Sequence, residues 1–301
     1  MSDTLKRLVL WLAIVGALYG IAKLVEVKDL DGPRRPLPPA SPSQPQMPPA
    51  PPAWSNSVPS RPPVGRTPEQ PTFDILVQEA AVQGDSIGTG FQVAPQIWVT
   101  AKHVMESCTR SYIRVQGKWQ EIQSVRMHEI ADVAVITSPL PDGAPRVSLT
   151  DRLPVMDQDG FHYGFPQGIP SSVYSRFVGM ARIRPGRPGT PIVRGWVWAE
   201  QERTPPSTGT LGGISGGPQV DRTGAVQGIT VLHSERAGRV TTTPVQRAKE
   251  LLPPQVTYAA AGGTTIDPEN YARHGSRVRE SGAVALIFCS LKGKTRPRSG
   301  A

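Results

Sequence analysis

The chain has 301 residues, 38% of them hydrophobic, with 33 prolines and a formal net charge of +9. That length holds a domain of ordinary size with appendages, and the apolar fraction is too low for a chain that is globular throughout. Residues 73–255 carry 18 Lys/Arg against 16 Asp/Glu, so the positive excess falls on the flanks; no basic stripe interleaved with aromatics is present there, and no nucleic-acid partner is expected.

In chain order, MSDTLKR precedes LVLWLAIVGALYGIA, an apolar run over residues 8–22 that Lys23 interrupts. At ~1.5 Å rise per residue this run falls short of a hydrocarbon core of ~30 Å. Leu24 and Val25, with Lys23 snorkelling, lengthen it enough to span. Residues 1–25 are therefore expected to form a hydrophobic helix acting as a signal anchor, with contact to the membrane. Gly20-Ile21-Ala22 offers a small-x-small cleavage site, so a removed signal peptide is the competing expectation. Lys6 and Arg7 precede the run while Lys23, Lys28, Arg34 and Arg35 follow it, and this balance does not fix an orientation. Residues 26–72 then read as a flexible linker. Fifteen prolines lie between Pro33 and Pro71, a composition that lacks backbone donors and apolar periodicity and favours extended, polyproline-like spacing.

From Phe73 the pattern changes to short β-rich runs separated by turn residues: FDILVQEAAVQ, FQVAP, QIWVTA, SYIRVQ, DVAVITS, SVYSRFVGMARI, TPIVRGWVWAE and AVQGITVLHS. Regular short strands with Gly/Pro punctuation predict an all-β sandwich or barrel. Residues 244–252, PVQRAKELL, predict one helix, with Pro in its first turn and Pro253 as its stop. Two barrels fit within about 180 residues, the second beginning near Pro154. Residues 256–301 read as a basic, partly disordered tail whose single apolar run, GAVALIFCS, has the length of one added strand. Cys108 and Cys289 either bridge or stay free, and neither belongs to a metal-ligand spacing.

The stretch TLGGISGGPQVDRTGAVQGI sets Ser215 among Gly212, Gly213, Gly216 and Gly217. Glycines let a backbone approach a substrate closely and aim its N–H groups inward, although Ser and Gly are also ordinary turn residues. A serine nucleophile needs a base, and the base needs an orienting anion. Of the five histidines, His103 follows the apolar run QIWVTA at a strand-to-helix corner, rigid yet accessible. His128 sits in a polar stretch and reads as solvent-facing, His162 as strand packing, and His274 as part of the tail. Asp132 stands at the head of the run DVAVITS, whose backbone would hold it, with Glu129 a distant second.

The order His103, Asp132, Ser215 is that of the chymotrypsin type. With GTGFQVAPQIWVTAKHV around the histidine, DVAVI at the aspartate and GISGGPQVDRTGAVQGI around the serine, the chain resembles trypsin-like serine proteases, the bacterial HtrA (Deg) type above all. GFPQG at 164–168 and TTTPVQRAKELL are similar to two further family segments. The resemblance covers residues 73–255 and implies two six-stranded β-barrels. It also implies a serine endopeptidase with Ser215 as nucleophile, His103 as general base and Asp132 as its partner. Gly213 and Ser215 N–H groups would form the oxyanion hole, and neither metal nor cofactor is expected. Peptides or proteins are the implied substrates. The implied localisation is a bacterial inner membrane with an exported, periplasmic protease domain, or secretion if the leader is removed.

Three departures qualify the resemblance. Ile214 stands where the family usually has Asp or Asn, Lys102 replaces a small residue before the histidine, and no PDZ-like module follows. Gly209 lies six residues before the serine, where trypsins carry Asp, which argues against an Arg/Lys preference; His233 falls near the expected pocket wall. The oligomeric state is not readable. The rival reading is an inactive protease-fold adaptor held at a membrane.

Overall fold

The computed structural model describes residues 70–77, 84–139, 145–185, 189–207, 209–254, 256 and 265–291. The expected signal anchor and nearly all of the expected linker lie outside them. Among the described residues, no helix is long and apolar enough to cross a membrane.

The first half of the domain holds β1 (Thr72–Val77), β2 (Ser86–Ala94), β3 (Ile97–Thr100), the one-turn helix α1 (Lys102–Met105), β4 (Arg110–Val115), β5 (Lys118–Glu121), β6 (Ser124–Met127) and β7 (Ala134–Thr137). The second half holds β8 (Asp159–Gly164), a 3₁₀ turn at Pro166–Gly168, β9 (Ser171–Pro185), β10 (Val193–Thr204), β11 (Pro218–Val220), β12 (Val226–Ser234) and β13 (Arg239–Pro244). Then come α2 (Gln246–Lys249), α3 (Tyr271–Glu280) and β14 (Val284–Ser290). The helix predicted over 244–252 thus forms only its central turn.

Strands β8 to β13 close into a six-stranded barrel, because β8 pairs with both β11 and β9 at the ends of the ladder β9-β10-β13-β12-β11-β8. This is the second barrel expected from the sequence. β9 and β10 are long and bend around it through two register shifts, at Val197/Trp198 and at Glu200/Glu202. β1 adds itself in parallel to the outer edge of β9.

The first barrel, also expected from the sequence, is a half-barrel with one strand more than the six expected. It is a curled, unclosed sheet of seven strands in the order β5-β4-β14-β2-β3-β7-β6. The additional strand is β14, antiparallel to β2 on one side and to β4 on the other. The boundary expected at residue 255 therefore moves: over residues 265–291 the chain is an integral layer of the domain and not a tail. Its apolar run VALIFCS is almost wholly buried because both neighbouring strands and the core cover it. A disulfide joins Cys289 on this strand to Cys108, just beyond α1, and settles the pairing the sequence left open.

One large core runs through both halves. Phe91, Trp98, Val99, Ile113, Ile136 and Ile287 fill the curled sheet, and Phe161, Val226 and Ile229 fill the barrel. A second apolar cluster gathers Trp196, Trp198, Phe177, Val173, Val240 and Leu211 around Ile214.

Candidate active site

β3 is buried at Trp98, Val99 and Thr100, and its end is fixed by pairing with both β2 and β7. Ala101 turns the chain from this strand into α1, which projects His103 outward from a rigid corner, as the sequence suggested. The loop before β7 brings Asp132 to the same place. Its carboxylate grips His103 twice: Oδ1 accepts the backbone N–H at 2.9 Å, and Oδ2 lies 2.6 Å from ring Nδ1.

The electrostatics follow from that grip. Although 43% of the His103 side-chain surface still meets solvent, its packed surroundings work against the charged ring. The Asp132 charge and hydrogen bond, helped by Glu106, outweigh this and hold the imidazole pKa above its ordinary 6.5. Burial likewise pushes Asp132 upward, but the charge and hydrogen bonds of His103 carry it below the usual carboxylate value. Lys102 bears on neither group through its ammonium, which lies 3.8 Å from Glu106 Oε1 and 3.4 Å from the Glu129 carbonyl.

His128, expected in solvent, is buried instead. Its Nδ1 accepts the N–H groups of Ile130 and Ala131, at 3.1 and 2.9 Å, and its Nε2 lies 2.7 Å from Glu250 Oε2. It therefore shapes the turn that delivers Asp132. The polar neighbours in VRMHEI hid this, since a short loop can fold back on its own side chain.

The Ser215 turn packs backbone to backbone against the same corner. A Cβ at Gly216, whose φ is +87°, would stand 2.2 Å from Thr100 Oγ1 and 2.8 Å from Ala101 N, so only glycine permits the approach. Ser215 is partly exposed, and its Oγ donates to the Val231 carbonyl at 3.4 Å and not to His103. Around it the N–H groups divide cleanly. Those of Gly212, Ile214, Gly216 and Gly217 donate to Thr210 Oγ1, Leu211 O, Thr230 O and Ile214 O. Those of Gly213 and Ser215 have no acceptor among the described residues. Ile214 is 1% exposed within the tryptophan cluster, so apolar burial anchors the turn where the family usually places a polar residue.

The two pocket candidates turn out to be connected. Gly209 is exposed, and a Cβ there would meet nothing within 4 Å; its carbonyl accepts Arg203 Nη1 at 2.7 Å. Arg203 also clasps both Glu200 oxygens, one of which lies 3.2 Å from His233 Nε2. Burial opposes the Glu200 charge, but His233 and Arg203 pull its pKa down to about 2, so it is a fixed anion. Sequence reading missed Glu200 and Arg203. In a regular strand residues three apart face opposite sides, and only the shift between Glu200 and Glu202 turns both inward.

The remaining histidines are structural. His162 is fully buried between Thr230 Oγ1 and Ser175 Oγ, where burial drives its pKa down to about 3. His274, on α3, shares a 3.1 Å hydrogen bond with the Tyr163 hydroxyl.

A family model described as the trypsin-like peptidase domain matches residues 88–229, a span that includes His103, Asp132 and Ser215. No curated protein matches the chain. Among solved structures, the Rv3671c protease in its inactive form is 20% identical, with a TM-score of 0.46 over 55% of this chain and 85% of that one. The active form of Rv3671c from M. tuberculosis is also 20% identical, with a TM-score of 0.49 over 68% of this chain and 97% of that one. Residues 88–229 thus carry a trypsin-like peptidase domain, that of a serine endopeptidase, on a closed barrel beside a curled half-barrel.

Proposed function

We propose that the chain is a membrane-tethered endopeptidase in which Ser215, His103 and Asp132 form the catalytic triad and the N–H groups of Gly213 and Ser215 form the oxyanion hole. One observation carries the reading. Two unspent N–H groups flank the serine turn, which rests on the corner bearing an Asp132-gripped His103. In the reaction, Ser215 Oγ leaves the Val231 carbonyl and attacks the scissile carbonyl carbon while His103 Nε2 takes its proton. The oxygen that gains charge sits between the two N–H groups. Collapse of this intermediate breaks the C–N bond, His103 passes the proton to the leaving amine, and an acyl-enzyme remains. Water, deprotonated by His103, then attacks the ester and restores Ser215.

The apolar run at 8–22 and the proline-rich stretch after it support a signal anchor with a tether, and a protease domain on the exported side of a bacterial inner membrane. The gripped histidine weighs against an inactive adaptor, which has no use for a poised base. The test is a fluorophosphonate probe followed by mapping of the modified residue. The intact chain is expected to carry the label on Ser215, and Ser215→Ala to remain folded and unlabelled. Labelling that persists in Ser215→Ala removes the assignment.

A further inference from the structure

The serine turn contains two adjacent glycines, and Gly213 has a φ of +103°. Such a backbone is soft, yet both proposed oxyanion donors must point at one place. The restraint can be traced one peptide plane at a time. The plane that carries the Gly213 N–H has its carbonyl, that of Gly212, held by Gln167 N at 2.7 Å. The next plane is fixed at both ends: Ile214 N donates to Leu211 O, and the Gly213 carbonyl accepts the Thr89 hydroxyl at 2.8 Å. The plane with the Ser215 N–H is tied through Ile214 O to Gly217 N. In the following plane Ser215 O accepts the Thr89 backbone N–H at 2.8 Å, and Gly216 N donates to Thr230 O.

Thr89 thus meets the turn twice, from β2 in the opposite half of the domain. It is 0% exposed, and its own position is fixed. Thr100 Oγ1 donates to its carbonyl at 2.7 Å, and its hydroxyl oxygen accepts the Phe165 N–H at 3.1 Å. Phe165 lies just before the 3₁₀ turn whose Gln167 holds Gly212. Two of the restraints on Gly212 and Gly213 come from side chains: Thr210 Oγ1 holds Gly212 N, one plane before the two proposed donors, and the Thr89 hydroxyl holds the plane that lies between those donors, so it is the restraint there that a substitution can remove.

We infer that Thr89 is a positioning residue for the oxyanion hole: its hydroxyl, shared between Phe165 N–H and the Gly213 carbonyl, sets the peptide planes that aim the Gly213 and Ser215 N–H groups. This rests on the reading of those two groups as oxyanion donors. Thr89 touches neither substrate nor nucleophile oxygen, so its removal slows the chemical step and leaves substrate encounter alone.

The experiment uses the full chain and a fluorophosphonate probe, whose phosphonyl oxygen occupies the oxyanion position. Labelling is followed against probe concentration to separate the saturating rate from the half-saturating concentration. It is done on the folded, monodisperse fraction and well below each variant's melting temperature. Losing one oxyanion donor outright costs about 10²–10³ in rate, so a misaimed donor is expected to cost roughly 10-fold or more. Thr89→Val and Thr89→Ala, which both remove the hydroxyl but differ in bulk, are expected to show this loss with half-saturation within about threefold of the parent. Thr89→Ser, which keeps the hydroxyl, is expected to recover most of the rate. A saturating rate per folded molecule equal to the parent's in either hydroxyl-free variant overturns the inference, as does a Ser variant no faster than Val. Should Ser215→Ala label in parallel, the underlying reading fails instead, and the two failures are told apart.

Discussion

His103 holds the balance of the site in one side chain. In its proposed role of general base it acts only when neutral, and Asp132 raises its pKa above 6.5 against the opposing effect of burial. A raised pKa means that the ring is still protonated at mildly acid pH. Fluorophosphonate labelling of the parent is therefore expected to rise with pH along a limb centred above 6.5. In Asp132→Asn the main stabilising charge is gone and only the weaker pull of Glu106 opposes burial, so the limb moves to lower pH, while the plateau falls by about 10³–10⁴-fold. A limb that stays in place in this variant contradicts the coupling. The three residues of the proposed triad stand out in the sequence because each sits beside a strong local signal: an apolar strand end, a strand head, a glycine run. Thr89, His128 and Arg203 do not. Their partners lie 124, 122 and 6 residues away respectively, and what joins them is a hydrogen bond that no spacing encodes.

Among the elements, β14 carries the main departure from expectation. Its apolar run was readable as a strand, but periodicity reports a strand and never its partner, and a place between β2 and β4 is a non-local fact. The consequence is mechanical as well as topological. β2 carries Thr89 and pairs with β14, while the Cys108–Cys289 bridge ties β14 to the end of α1, the helix of His103. The bridge closes a loop of 181 residues. A crosslink over so long a loop chiefly restricts the unfolded chain, and its loss is expected to cost about 3–5 kcal/mol. Cys108→Ser with Cys289→Ser, compared with the parent by urea unfolding, tests this, and a difference under about 1 kcal/mol speaks against it. A chain ended at residue 255 faces a larger loss. It would leave the facing edges of β2 and β4 without the strand between them, and no soluble folded domain is expected from it.

At the scale of the whole molecule, the distribution of charge and the placement of β1 bear on how catalysis and anchoring divide. The domain itself is close to neutral and the positive excess lies on the flanks, so the catalytic half has little electrostatic reason to lie on an anionic membrane. The proposed anchoring then rests on the apolar run at 8–22. Where the proline-rich stretch ends, the chain is clasped to the barrel: Pro71 O accepts Met180 N at 2.8 Å, and Asp74 takes a two-point grip from Arg182. Arg239 also lies over the Phe73 ring at 4.4 Å. This clasp lies at the outer edge of β9, whereas the serine turn joins β10 to β11. Tethering and chemistry should therefore separate. Deleting residues 1–25 is expected to move the protein from the membrane pellet to the soluble fraction, with fluorophosphonate labelling within about twofold of the parent. A truncated chain that stays in the pellet under high salt places the membrane contact elsewhere, and one that is soluble but labels slowly shows that the anchor reaches the site through β1.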